Sequence, residues 1–234
     1  MAKNKREKIH FNFKILLTVL LIVTMPLLVF AVKNVSTQTS SHAMDNYPYY
    51  FSQHNSKWQR STCDIQSYGC YPASLAMALK KFGLSGIDPL TVARDIGRGC
   101  KNGTNTYEAN QAMRYVMEKG LHIYNVTGSK YSDIVVNGGK SFNYERAKDV
   151  IDSGGVILLG GCMKYFRTNN TLKDTPGLHA VLVINVNPNT HILTILDPTK
   201  EWGPRYFNGD DDIMNGCSNG NNGYYFAYSI ARPE

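Results

Sequence analysis

The sequence lacks the cysteine pairs from which proteins build zinc centres. Five cysteines occur among 234 residues, and none stands in a Cys-x-x-Cys spacing. Structural zinc sites use such spacings, so a metal centre is disfavoured. No internal repeat occurs either.

Charge is also scarce, at 18% of residues, against 43% apolar residues. This balance is typical of a globular chain that buries a core. The net charge is +7, but five basic residues and one acidic residue lie within the first fourteen positions, so only three net charges remain for the rest. No basic block interleaved with aromatic residues follows, and nucleic-acid binding is therefore disfavoured.

A single long apolar run follows the basic N-terminal segment. It extends from Ile15 to Val32 and is interrupted by only two threonines and one proline. This arrangement directs a chain into the membrane and keeps its basic end in the cytoplasm. Val29 and Ala31 are small residues at positions that a signal peptidase reads, so a cleaved signal and an uncleaved anchor both remain open.

These patterns divide the chain into three predicted parts. Residues 1–32 are a signal peptide or membrane anchor, residues 33–46 a polar linker rich in Ser and Thr, and residues 47–234 the folded domain. In either form the domain works outside the cytoplasm, at the cell membrane or secreted. We expect a monomer that contacts the membrane only through its N-terminal helix.

The odd number of cysteines suggests disulfide pairs and one free thiol in an exported chain. If Cys70 is the free one, the remaining four form two disulfides in one of three ways. We predict the pairs Cys63–Cys100 and Cys162–Cys217.

Cys70 stands directly before a predicted helix that extends to Phe82. Pro72 suits the first turn of this helix, and Gly83 suits the position just past its end. Further helices are predicted over residues 89–96, 107–119 and 144–151, the first of them capped by Asp88.

β-branched apolar runs follow the helices. Residues 156–160, 179–187 and 191–196 are predicted strands, and residues 224–228 add another. Asn187-Pro188-Asn189-Thr190 joins two of them as a hairpin. Helices followed by antiparallel strands indicate an α+β domain.

Three residues in this arrangement have the chemistry of a thiol-dependent triad. A helix N-terminus favours negative charge, so the thiol of Cys70 stands where it can become a thiolate. The hairpin brings the start of its first strand beside the end of its second, so His179 and Asp197 are expected to be near neighbours. This predicts Cys70 as nucleophile, His179 as its base and Asp197 as the group that orients the base.

The motifs resemble a known family. Gln53 with Trp58, the segment Gly69-Cys70-x-Pro72-x-Ser74-Leu75-Ala76-Met77, Gly-x-His179 before an apolar strand, and Asp197-Pro198 occur in this order. They are similar to the bacteriocin-processing-peptidase-like group of papain-type cysteine peptidases, from about Tyr47 to the C-terminus. The resemblance implies a papain-like fold, hydrolysis of peptide or protein substrates and no metal cofactor.

The same resemblance implies a glutamine that binds the oxyanion. Gln53 is the first candidate and Gln66 the second. The sequence departs from the pattern of this group at Tyr71, where glycine is usual. The ring of Tyr71 is expected to crowd the cleft or alter specificity. Two alternatives stay open: amidase or acyltransferase chemistry on the same triad, and an inactive peptide- or wall-binding module whose Cys70 is tied into a disulfide.

Several other polar and aromatic residues are predicted to lie outside the site. His122 and His191 are interpreted as packing or surface residues, and the acidic run at residues 210–212 as a solvated loop. An aromatic set is expected to build the core and the cleft wall: Tyr206, Phe207, Tyr224, Tyr225 and Phe226.

Overall fold

An antiparallel sheet with helices on both faces forms the domain. The computed structural model describes residues 47–60, 62–97, 106–124, 135–136, 141–163, 166–168, 171–173, 177–199, 204–210 and 224–233.

The helices lie mainly in the first half of the domain. They are α1 (Ile65–Tyr68), α2 (Cys70–Lys81), α3 (Pro89–Asp95), α4 (Thr106–Glu118) and α5 (Tyr144–Asp152). The carboxylate of Asp88 accepts a hydrogen bond from the Thr91 N–H at 2.8 Å and caps α3, as predicted. Gly83, at φ +84°, follows α2 in the left-handed region that glycine adopts readily.

Within the described ranges, ten strands form three antiparallel sheets. They are β1 (His122–Tyr124), β2 (Val135–Val136), β3 (Ser141–Phe142), β4 (Val156–Met163), β5 (Phe166–Thr168), β6 (Thr171–Lys173), β7 (Gly177–Asn187), β8 (Ile192–Leu196), β9 (Pro204–Asn208) and β10 (Tyr224–Ala231). The main sheet has the order β1-β10-β4-β7-β8-β9, and β2 with β3 and β5 with β6 form two small ribbons.

The two faces of the main sheet bury separate clusters of side chains. Leu158 and Leu182 point to the face covered by α2, while Leu159 and Val183 point to the face covered by α5. Successive residues of a strand alternate between faces, so a strand covered on both sides is apolar at every position. This explains the unbroken apolar runs in β4 and β7.

The predicted α+β class with an antiparallel sheet is confirmed, but the predicted order of its parts is wrong in one respect. Strands β1 to β3 precede α5, and β1 pairs with β10 at one edge of the main sheet. The short length of β1 to β3, two or three residues each, left no alternating pattern for the sequence to display.

The predicted hairpin between β7 and β8 is confirmed. Asn187 pairs with Ile192, and Leu182 pairs with Leu196 at the far end. The register shifts between Val183 and Asn185, where β7 carries one extra residue.

None of the helices in the described part combines the length and the apolar character that a bilayer crossing requires. The predicted signal or anchor and the linker, residues 1–46, lie outside the described residues.

Candidate active site

Cys70 is the first residue of α2, because the chain changes direction at Gly69. The Gly69 N–H donates to the carbonyl of Ile65 at 2.9 Å and ends α1, and α2 starts at the next residue. A Cβ at Gly69 would lie only 2.3 Å from the oxygen of Ile65. A residue without a side chain is therefore needed directly before Cys70 if the two helices are to meet this closely.

The thiol of Cys70 is free and its residue is partly exposed. The first amide groups of a helix have no partner within the helix and favour a negative charge. The helix therefore holds the sulfur where its first amide groups stabilise a thiolate.

The helix and the sheet are connected beside the site by a buried hydrogen bond. The Ser74 hydroxyl, on the second turn of α2, donates to the carbonyl of Ala180 at 3.0 Å. Ala180 is the neighbour of His179 in β7. This bond fixes the N-terminal half of α2 against the part of β7 that carries the imidazole.

His179 and Asp197 lie together at the end of the β7–β8 hairpin. The Nε2 atom of His179 is 2.8 Å from Oδ1 of Asp197, and both side chains are almost completely buried. Asp197 follows the last residue of β8 directly. The predicted neighbourhood of the two residues is thus present, although the register shift within β7 was not predicted.

The imidazole also contacts the thiol. His179 forms a side-chain hydrogen bond with Cys70. Since Nε2 faces Asp197, Nδ1 is the ring nitrogen left to face the sulfur. The structure therefore brings all three predicted triad residues into one chain of hydrogen bonds.

The electrostatics of the pair favour a thiolate and an imidazolium. Burial lowers the pKa of His179, but the Asp197 carboxylate and the Cys70 sulfur raise it by more, to about 10. Burial raises the pKa of the Cys70 thiol, but the hydrogen bond and charge of His179, with the backbone of Ala180 and Tyr71, bring it below its ordinary value. Each group stabilises the charged form of the other.

Thr199 is a residue of the site that the sequence analysis missed. Its N–H donates to Oδ1 of Asp197 at 2.9 Å, and its hydroxyl donates to the same oxygen at 2.6 Å. An Asp carboxylate often accepts from the backbone two residues further along. The only sequence pattern that could have indicated Thr199 was therefore the order Asp-Pro-Thr. This order also occurs in turns that have no catalytic role, so it did not single out Thr199.

Gln53 lies against the turn that carries Asp197. Its backbone N–H donates to the carbonyl of Pro198 at 2.8 Å, and its side-chain Nε2 donates to the backbone oxygen of Gln66 at 2.7 Å. The Gln53 side chain is buried, whereas Gln66 is exposed. Of the two predicted glutamines, Gln53 lies close to the triad. Gln66 contributes only its backbone oxygen, which accepts from Gln53.

Further contacts hold the segment around Gln53 in place. The Tyr50 hydroxyl donates to the backbone carbonyl of Asp197 at 3.0 Å, and the Trp58 indole N–H donates to the carbonyl of Ser52 at 2.9 Å. Trp58 is buried and packs edge-to-face on Phe51. The early residues of the domain thus form one wall beside the triad.

Tyr71 does not crowd the cleft, so that half of the prediction is wrong, while an effect on specificity stays a prediction. Its ring is buried and packs edge-to-face on Phe226, with 5.4 Å between ring centroids. Tyr71 stands one helical turn before Leu75, on the core-facing side of α2. Burial raises the pKa of its hydroxyl well above the ordinary value.

Tyr206 also contradicts its prediction, because it is 75% exposed and builds neither core nor cleft wall. Its neighbour Phe207 is buried, as expected for alternating residues of β9. Phe226 is partly buried against the core, while the side chains of Tyr224 and Tyr225 lie outside the described part.

His191 and Asp210 form a pair of their own. Nδ1 of His191 is 2.5 Å from Oδ2 of Asp210, and the ring of His191 stacks on that of Tyr144. The Tyr144 hydroxyl donates to the other Asp210 oxygen at 2.9 Å. Asp210 is therefore more than a solvated loop residue, whereas residues 211–212 lie outside the described part. His122 is exposed, as predicted.

The cysteines are described only in part. Cys63 is disulfide-bonded, and Cys70 is free. The side chains of Cys100, Cys162 and Cys217 lie outside the described residues. The proposed pairing therefore stays a prediction.

The class of protein to which the chain belongs follows from its similarity to a known family. The sequence model of the Peptidase_C39 like family matches residues 44–225. This match covers most of the chain and the whole of the triad. The chain belongs to the Peptidase_C39 like family, and it is a cysteine peptidase of the bacteriocin-processing, papain-like group.

One solved structure that resembles the chain comes from Bacillus anthracis and is assigned provisionally to the C39-like peptidases. It is 16% identical, with a TM-score of 0.45, and the alignment covers 79% of this chain and 94% of the other. No curated protein matches.

Proposed function

We propose that the chain is an exported peptidase that hydrolyses peptide or isopeptide bonds with Cys70 as nucleophile, His179 as acid and base, and Asp197 as the orienting group. The observation that carries this proposal is the continuous series of hydrogen bonds from a free thiol through His179 to Asp197. A disulfide-bonded Cys70 would favour an inactive binding module, so the free thiol supports an enzyme.

In the first half of the reaction the Cys70 thiolate attacks the carbonyl carbon of the scissile bond. A C–S bond forms, and the carbonyl electron pair moves to oxygen. When this intermediate collapses, the C–N bond breaks and the leaving amine takes the proton of the His179 imidazolium. The product of this half is a thioester on Cys70 and a neutral imidazole.

In the second half the neutral imidazole acts as a base. It removes a proton from water, whose oxygen attacks the thioester, and the C–S bond then breaks. The acid product leaves, and the thiolate and imidazolium are restored. Asp197 keeps the ring in one orientation through both proton transfers and stabilises its positive form.

The oxyanion of both intermediates is assigned to the Cys70 backbone N–H and Gln53. A carbonyl oxygen only accepts, so the Gln53 atom that faces the carbonyl of Gln66 must be Nε2. Nε2 carries two hydrogens, and this bond uses one of them. The second supports a role as donor to the oxyanion.

Export and membrane attachment rest on the sequence. Basic residues precede the apolar run at residues 15–32, and they supply the charge asymmetry that sets orientation in a membrane. The disulfide at Cys63 agrees with a location outside the cytoplasm, because cytosolic thiols are kept reduced.

The proposal is tested with full-length protein on a peptide library, with products identified by mass spectrometry. Cys70→Ala should abolish cleavage while the protein keeps its thermal transition, and His179→Ala should be nearly as damaging. Cleavage retained in Cys70→Ala would remove the mechanism. Products that carry an added amine in place of water would instead indicate acyl transfer.

A further inference from the structure

One oxygen of the Asp197 carboxylate accepts three hydrogen bonds. They come from His179 Nε2 at 2.8 Å, from the Thr199 N–H at 2.9 Å and from the Thr199 hydroxyl at 2.6 Å. Asp197 is only 1% exposed, so bulk water contributes little to holding it. We propose that Thr199 is a positioning residue of the catalytic site: it holds the carboxylate of Asp197, which in turn orients His179.

The hydroxyl of Thr199 has the geometry of a strong bond to a charged acceptor. An ionised carboxylate has no hydrogen to give, so Thr199 is the donor. Its distance of 2.6 Å lies in the range of about 2.5–2.7 Å that is typical of a hydroxyl on an anion. The branched Cβ of threonine also restricts χ1, which keeps the hydroxyl in place.

The turn that carries Thr199 is itself fixed. Pro198 stands between the two residues with its backbone φ restricted by the ring. The Pro198 carbonyl accepts from the Gln53 N–H, and the Asp197 carbonyl accepts from the Tyr50 hydroxyl. Thr199 therefore donates from a turn that is bonded to the wall beside the triad.

This arrangement has a chemical consequence that rests on the proposed function. Hydrogen bonds to the charged form of a carboxyl favour that form, and only a charged, well-placed Asp197 can stabilise the His179 imidazolium. Without the hydroxyl, the carboxylate loses a donor inside a buried site and its rotamer is less restricted. The imidazolium is then less stable, and the pKa of Cys70 rises.

The test measures the rate at which iodoacetamide alkylates Cys70 between pH 4 and pH 10 in the full chain, with the modified residue mapped by mass spectrometry. Thr199→Val removes the hydroxyl and keeps the branched shape, whereas Thr199→Ser keeps the hydroxyl. Thr194→Val, the same change in the middle of β8, is the matched control. If Thr199→Val does not fold, judged by its thermal transition, Thr199→Ala takes its place.

The expected result is an acidic limb that lies at higher pH in Thr199→Val than in wild type. A rise of one pKa unit lowers the thiolate fraction, and hence the rate on that limb, about tenfold. Thr199→Ser should restore the wild-type curve, and Thr194→Val should leave it unchanged. The inference would be overturned if the alkylation rates of wild type and Thr199→Val had the same pH dependence. It would also be overturned if Thr199→Val and Thr199→Ser shifted that dependence equally.

The alkylation rate does not depend on any substrate, so the two proposals fail separately. Thr199-dependent alkylation in a protein that cleaves no peptide would overturn the proposed function and leave the role of Thr199 intact. Cys70-dependent cleavage, with an alkylation rate that Thr199→Val does not change, would support the proposed function and overturn the role of Thr199.

Discussion

The pKa values of Cys70 and His179 move in opposite directions because each group is the counter-ion of the other. Burial alone would favour the neutral thiol and the neutral imidazole. The Asp197 carboxylate is the additional charge that makes the ionised pair prevail. The reactive state is therefore a property of three residues together, and its pH range should follow from their coupling.

This coupling predicts the pH dependence of the reaction. The pair exists between the lowered pKa of Cys70 and the pKa of His179, about 10. As the pH rises through that upper value, the imidazolium loses its proton, so hydrolysis should decline on that alkaline limb. As the pH falls below the pKa of Cys70, the thiolate is protonated and both hydrolysis and alkylation should decline.

His179→Ala is the variant that checks this interpretation. Without the imidazolium, alkylation of Cys70 by iodoacetamide should shift toward the pH range of an ordinary thiol, whose pKa is about 8.5. The rate is measured across pH in wild type and variant. Identical pH dependence in the two proteins would contradict the assignment of His179 as the partner of the thiol.

The two candidate glutamines give a second prediction at this scale. Gln53→Ala should lower kcat by roughly 10²–10³-fold, the usual cost of one oxyanion donor. Gln66→Ala is the matched control, because the exposed side chain is lost while the backbone oxygen that accepts from Gln53 remains. Steady-state kinetics on one cleaved peptide compares them. Equal activity of both variants with wild type would remove Gln53 from the mechanism.

At the scale of helices and strands, cap residues and turn residues made most of the fold predictable. Asp88 and Gly83 mark helix ends in the sequence because their chemistry acts over one turn. The hairpin was visible for the same reason. The register shift in β7 was not, because a bulge depends on how neighbouring strands twist and pack rather than on a local residue pattern.

In the candidate site, too, the residues set by local sequence patterns were predictable and those set by tertiary packing were not. Cys70 and His179 stand at the ends of strongly patterned elements, and the hairpin count was enough to place Asp197 beside His179. Thr199 lies in a turn after the last patterned residue, so its contact with Asp197 became visible only in three dimensions. The error at Tyr71 was avoidable, since helical periodicity already puts that ring on the buried face.

The close contact between β4 and β10 gives a prediction about stability. A Cβ at Gly160 would lie 2.1 Å from the ring of Phe226, which in turn packs on Tyr71. Gly160→Ala should therefore destabilise the domain by about 1–3 kcal/mol, the usual cost of overpacking. Denaturant unfolding of wild type and Gly160→Ala measures the difference in their free energies of unfolding.

Phe226→Leu provides the control for this contact. If the clash with the ring is the cause, Gly160→Ala should cost less stability in the Phe226→Leu background than in wild type, and a double-mutant cycle reports the difference. Additive costs would show that the two positions do not interact.

At the scale of the whole molecule, the two cysteines whose side chains are described differ in the state of their thiols. Cys63 is disulfide-bonded and Cys70 is free. We predict that protein isolated from its native compartment carries one free thiol, on Cys70. Alkylation before reduction, followed by an unreduced digest and mass spectrometry, locates it and identifies the pairs. Cys70 found in a disulfide would support the binding module instead of the enzyme.

The last prediction concerns the side of the membrane on which the domain works. Four net positive charges precede the apolar run at residues 15–32, and only Lys33 follows it immediately. Basic residues are retained in the cytoplasm, so the domain from Tyr47 onward should lie on the outer face. Protease added to intact cells should digest the domain and leave an epitope at the N-terminus protected, with a cytoplasmic protein as the control for cell integrity. A domain that resists this treatment and is digested only after lysis would have the opposite location. In that case Cys70 would work in a reducing compartment, and the oxidised cysteines predicted for the exported form should be found as thiols.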